Sequence, residues 1–144
     1  MHSITLAGES HAETIVSFDH MAAYDNKRVA FIRRSIANRN CHVVSVGGKA
    51  IGYAVLEYSF FENGFISMLY VQQEYRRRGV GEELMHYLEG LCRTPKLFTS
   101  TNLSNTAMQS LLAKLGYVLS GVIENLDESD PELIYFKCPK QQAF

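Results

Sequence analysis

Between Phe65 and Cys92 the sequence changes its period, and this change constrains the fold most. Phe65–Val71 is an apolar run of strand length. From Val80 onward Leu84, Met85, Leu88, Leu91 and Cys92 recur at helical spacing, with Glu82, Glu83, His86 and Glu89 on the opposite side. Between them lies Arg76-Arg77-Arg78-Gly79-Val80-Gly81. A buried strand that leads through such a loop into an amphipathic helix calls for a helix packed on a sheet. The same arrangement can capture a phosphate, because helix N-terminal N–H groups converge there, glycine allows close approach and arginine adds charge. An ordinary strand-to-helix turn with solvated arginines would read the same way. No Gly-Lys-Ser/Thr follows and no G-x-G-x-x-G is present, so the P-loop and dinucleotide-binding patterns are both missing.

The flanking sequence supplies more sheet and more helix. Val29, Ile32 and Ile36 predict a helix between Asp25 and Arg39, with Lys27, Arg28, Arg33, Arg34 and Arg39 mainly off the apolar stripe. Cys41–Tyr58 is rich in β-branched and aromatic residues and is divided by Gly47-Gly48, which predicts an antiparallel hairpin. Asn63-Gly64 marks another turn. After Pro95, Lys96–Ser100 reads as a short strand. Ser104 can then cap a helix whose inner stripe is Met108, Leu111, Leu112 and Leu115 and which ends at Gly116. Tyr117–Ile123 and Glu132–Lys137 predict two last strands around an acidic loop. The order is that of a mixed α/β sheet.

At 144 residues there is material for a single domain, residues 1–144, with no repeat and no linker. A formal net charge of -1 argues against bulk electrostatic capture of nucleic acid or an anionic membrane surface. No apolar run approaches the length of a membrane span, and Met1–Phe18 has the pattern of neither a signal peptide nor an anchor. Cys41, Cys92 and Cys138 lack disulfide or zinc spacing, and the five histidines are scattered, so no metal is expected and a reducing, cytoplasmic setting fits.

Phe65-Ile66-Ser67-Met68-Leu69-Tyr70-Val71, Arg76-x-x-Gly79-x-Gly81, and then Asn105 with Lys114-Leu115-Gly116-Tyr117 resemble the GNAT superfamily of N-acetyltransferases, over roughly residues 41–138. The resemblance implies a mostly antiparallel central sheet of about six or seven strands flanked by about four helices and splayed at the cofactor site. It implies acetyl-CoA as acetyl donor, with the backbone of Leu69 and Val71 along the pantetheine arm. Arg76, Arg77, Arg78, Gly79, Val80 and Gly81 would hold the pyrophosphate, and Asn105 would meet the arm from the other side. The implied reaction is direct acetylation of a primary amine, small or protein-borne, by a monomer or homodimer; an acyl-CoA-binding sensor with little or no transfer activity is the alternative.

Acetyl transfer needs a neutral amine, a polarised carbonyl and a proton for the departing thiolate. The carboxylates and the tyrosine that relatives commonly use fall at or near Phe65, at or near Ser100, and at Leu112. None of these can serve. Ser67, Tyr70 and Ser100 are the weak catalytic candidates, each more often a plain strand residue. Glu57 and Tyr58 could reach an acceptor, although a solvent-exposed strand end explains them as well. Tyr117 reads as core. Glu124, Asp127, Glu128, Asp130 and Glu132 would draw a cationic acceptor. They also suit a solvated loop in which Asp127 and Asp130 set the turn before Pro131. The basic helix face reads as solvated, with a role near the CoA 3'-phosphate or an acidic partner as the sharper alternative.

Overall fold

The computed structural model describes residues 2–140; Met1, where the N-terminal reading begins, and the last four residues lie outside the described residues. Its strands are β1 (His2–Leu6), β2 (Cys41–Val46), β3 (Lys49–Phe60), β4 (Asn63–Val71), β5 (Leu97–Asn102), β6 (Val118–Ile123) and β7 (Glu132–Lys137). Its α-helices are α1 (Ala12–Phe18), α2 (Asn26–Ala37), α3 (Val80–Leu91) and α4 (Thr106–Lys114). The strands form one sheet in the order β1-β2-β3-β4-β5-β7-β6, mostly antiparallel, with β4 and β5 parallel. Strand number, helix number and mixed pairing match the expectation.

The chain condenses into two compact units whose boundaries cut β3, β4 and α3. The first takes the residues up to Leu56 together with Met68–Tyr87. Its core gathers Ile15, Ile32, Ile36, Cys41, Val43, Tyr53 and Val55, with Phe18, Met68 and Tyr70 packed against them. Helix α2 starts where Asp25 accepts from Lys27 N at 2.8 Å, and its Ile32 and Ile36 are buried as the spacing predicts. The β2–β3 turn depends on Gly47 and Gly48, at φ 56° and 81°, which only glycine adopts without strain. Sequence reading gave neither β1 nor α1. They are five and seven residues long, too short to show a period, and β1 is fixed by pairing with β2.

The second unit takes Glu57–Ser67 and the described residues from Leu88 on. Leu97, Leu112, Leu115, Tyr117, Leu133 and Ile134 are buried there. The last two strands are not laid down in chain order, because β7 sits between β5 and β6 and leaves β6 at the sheet edge. Four corrections to the sequence reading belong here. Strand β4 begins at Asn63 rather than Phe65, only Gly64 and Ile66 are buried in it, and its ladder with β5 covers Gly64–Ile66. The next strand is Leu97–Asn102 rather than Lys96–Ser100. Leu91, assigned to the inner face of α3, is 40% exposed, whereas Glu89, assigned to the outer face, is 8% exposed. Glu89 tolerates burial because Tyr117 Oη donates to it at 2.8 Å and Lys137 Nζ to both its oxygens at 3.1 and 3.2 Å.

Candidate active site

In the first unit β4 ends at Val71, a short 3-10 turn spans Gln73–Tyr75, and the chain enters α3 at Val80. Sequence reading did not show that turn. Arg77 and Gly79 lie at φ 63° and 81°, and a Cβ on Gly79 would meet nothing within 4 Å. The backbone there is kinked and open. Gly79 O accepts from Glu83 N at 3.0 Å, which starts the helix and leaves the N–H groups of its first turn without helical acceptors. Arg76 Nε donates to Val71 O at 2.7 Å and its guanidinium lies 5.1 Å from the Tyr70 ring centre. Arg78 lies 5.6 Å from the Tyr75 ring centre. Arg76 thus fastens the loop to the end of β4. Glu83, in the first helical turn, is engaged by His2 at 2.8 Å.

The second unit holds a fork. Parallel pairing of β4 and β5 joins Gly64 to Leu97, Phe65 to Phe98 and Ile66 to Thr99, and Thr99 Oγ1 fastens the last rung by donating to Ile66 O at 2.9 Å. Ser67 and Ser100 are the next residues on the two strands, just beyond the described ladder. Ser67 Oγ donates to Glu57 Oε2 at 2.7 Å, and Ser59 Oγ donates to Glu57 Oε1 at 2.7 Å. Ser100 lies opposite Ile134 of β7. Two of the three catalytic candidates therefore each follow directly on the last rung of the β4–β5 ladder.

The third candidate, Tyr70, is built into the first unit. Its hydroxyl accepts from His20 N at 2.8 Å, and its ring stacks with Phe18 and Tyr53 at centroid distances of 6.2 and 6.1 Å. It lines a cleft of about 440 Å³ with Ser17, Asp19, His20, Gln72 and Glu74 among the walls. Asp19, 1% exposed, accepts from Arg28 Nε, Tyr53 Oη and Met21 N. Burial alone would lower the Arg28 pKa, yet the bond to Asp19 and the proximity of Tyr53 carry it upward. The same site pushes the Tyr53 pKa up, by desolvation first and Asp19 second. Sequence reading missed Asp19, since a single acid between Phe18 and His20 carries no spacing signal.

Of the remaining candidates, Asn105 is the N-cap of α4, its Oδ1 accepting from Met108 N at 3.1 Å; Ser104, expected in that role, bonds Asp130 instead. Leu112, where the resemblance implied a tyrosine, is fully buried and belongs to the core. In the acidic loop Asp127 accepts from Asn102 Nδ2 at 2.9 Å and Asp130 from Ser104 N and Oγ at 3.0 and 2.6 Å. These two acids hold the loop. On α2, Arg28 is drawn into the Asp19 cluster and Arg33 meets Glu9 at 3.4 Å, so the basic face is only partly solvated.

A profile described as the Acetyltransferase (GNAT) family matches residues 8–117. The chain belongs to the GNAT family. It is an acyl-CoA-dependent N-acetyltransferase. A GNAT acetyltransferase structure from Bacillus cereus ATCC 10987 superposes with a TM-score of 0.89 at 33% identity, over 96% of this chain and 97% of that one. An N-acetyltransferase from Staphylococcus aureus Mu50 shares the fold at TM-score 0.79 and 17% identity, over 97% of this chain and 99% of that one. YncA from Salmonella typhimurium, solved with its cofactor acetyl-CoA, does so at 0.75 and 15%, over 99% and 96%. No curated protein sequence matches the chain. Among the described residues of this acetyltransferase no helix is long and apolar enough to cross a membrane.

Proposed function

We propose that this GNAT enzyme carries an acetyl group from acetyl-CoA directly to a primary amine. The observation that supports it best is the continuity of β4, whose ladder with β5 stops at Ile66, with the positive-φ Gly79 loop at the N-terminus of α3. A strand whose ladder with β5 has ended suits an amide-bearing pantetheine arm along Leu69 and Val71, and an open glycine backbone at a helix N-terminus suits a pyrophosphate. The backbone of Arg77–Gly81 and the charges of Arg76, Arg77 and Arg78 would hold the phosphates, and Asn105 would turn its Nδ2 to the arm. Bound acetyl-CoA supplies a thioester carbonyl and a sulfur leaving group. A small molecule or a protein can present the amine, and the exposed Glu124 and Glu128 favour a cationic one. The free cysteines suit the cytoplasm.

The purified chain is expected to release CoA from acetyl-CoA with at least one of spermidine, kanamycin or a lysine peptide. Gly79→Glu sets a carboxylate at the phosphate and is expected to weaken acetyl-CoA binding about ten-fold or more. Unchanged affinity by calorimetry would remove the loop assignment. The buried Leu112 favours a second reading, an acyl-CoA sensor, which predicts binding without CoA release for every acceptor.

A further inference from the structure

We infer that Glu57 is the proton acceptor for the incoming amine and that Ser67 positions it, an inference that rests on the transferase reading above. An alkylammonium with a pKa near 10.4 presents only about one neutral molecule in a few thousand at pH 7, so an enzyme acting on it gains from a placed base. Phe65 and Ser100, the positions at or near which the resemblance implied carboxylates, cannot supply one. The Phe65 ring stacks on Phe60 at 4.8 Å between centroids, and Ser100 carries no acid.

Glu57 stands where those groups fail. It comes from β3, and its two oxygens are fixed by separate hydroxyl donors, Ser67 Oγ and Ser59 Oγ, both at 2.7 Å. Ser67 is the first β4 residue past the last rung with β5, and Leu69 follows two residues later on the same strand, about 7 Å further along. A carboxylate is therefore bonded to β4 at the residue where its ladder with β5 has just ended. None of the ion pairs given for the described residues involves Glu57. The ammonium gives one proton to Glu57, and the freed lone pair forms the N–C bond as the thioester C–S bond breaks. The second proton leaves nitrogen for the sulfur, giving the thiol and the amide. Glu57 then returns its proton to water.

The test compares wild type with Glu57→Gln, Ser67→Ala and Ser67→Thr, using the best acceptor among spermidine, kanamycin and a lysine peptide. Glu57→Gln is expected to lower kcat about 10²-fold or more at pH 7. Its log rate should then climb with unit slope toward the amine pKa, where wild type is flat. Binding of that amine to CoA-saturated protein should weaken about ten-fold, while acetyl-CoA affinity stays within about two-fold. Ser67→Ala should lose a smaller part of kcat, and Ser67→Thr should restore it. A Glu57→Gln enzyme with unchanged kcat, or with a loss equal at every pH, would overturn the inference while leaving the transferase intact. Wild type that releases no CoA with any of the three amines would overturn the transferase reading and the inference with it.

Discussion

Asp19 is buried to 1% exposure with three donors on its two oxygens, and its partners come from α2, β3 and the turn after α1. A carboxylate so placed is retained only while each donor is satisfied, and removing it strands the Arg28 charge and the Tyr53 hydroxyl. Asp19→Ala is therefore expected to cost about 3–5 kcal/mol of unfolding free energy, and Asp19→Asn less. Urea denaturation measures it, and a loss below about 1 kcal/mol would show that the cluster holds nothing. At this scale the sequence was least informative. Tyr70 and Ser67 both read as strand residues near a cleft, yet one is locked into an aromatic stack and the other is bonded to Glu57. Nothing along the chain distinguishes them, because their partners lie 50 and 10 residues away.

Elements that carry their own periodicity were readable. Helix α3 starts at Val80 as its apolar spacing requires, and the glycine pair sets the β2–β3 turn. Helix α4 shows the limit: both Ser104 and Asn105 are capping residues, and the choice falls to Asn105 because Asp130 takes the Ser104 backbone and hydroxyl. Asn105 then has two separable tasks, the cap through Oδ1 and the proposed donor contact through Nδ2. Asn105→Asp should keep the cap and leave stability within about 0.5 kcal/mol, while weakening acetyl-CoA binding several-fold. Asn105→Ala should also lose about 1 kcal/mol of stability. Equal acetyl-CoA affinity in wild type and Asn105→Asp by calorimetry would limit this residue to capping.

For the whole molecule, buried titrating groups set the pH limits of stability. Burial pushes the Cys41 thiol up to about 11, with Ser35 pulling weakly the other way, and the hydroxyls of Tyr53 and Tyr117 also rise through burial first and a neighbouring carboxylate second. An acid raised on folding contributes in full below its unfolded pKa, and the contribution fades as pH climbs to the folded value. For Cys41 that window runs from 9.0 to about 11 and is worth on the order of 3 kcal/mol. His42 is shifted down by burial, so its contribution holds above its ordinary 6.5 and fades as pH falls below it. Unfolding free energy should therefore decline on both sides, and Cys41→Ala should flatten part of the alkaline slope. Equal slopes for wild type and variant between pH 9 and 11 would exclude Cys41 as a source.

The sequence by itself determined the class of sheet, the strand, loop and helix of the proposed donor site and the family they belong to, because each depends on residues within one short segment. Tertiary structure decided what no segment contains: the insertion of β7 between β5 and β6, the end of the β4–β5 ladder at Ile66, the burial of Asp19 and Glu89, and the meeting of Glu57 with Ser67. Those are contacts between residues distant in the chain, and the free energy that selects them comes from burying and pairing groups that only the folded chain brings together.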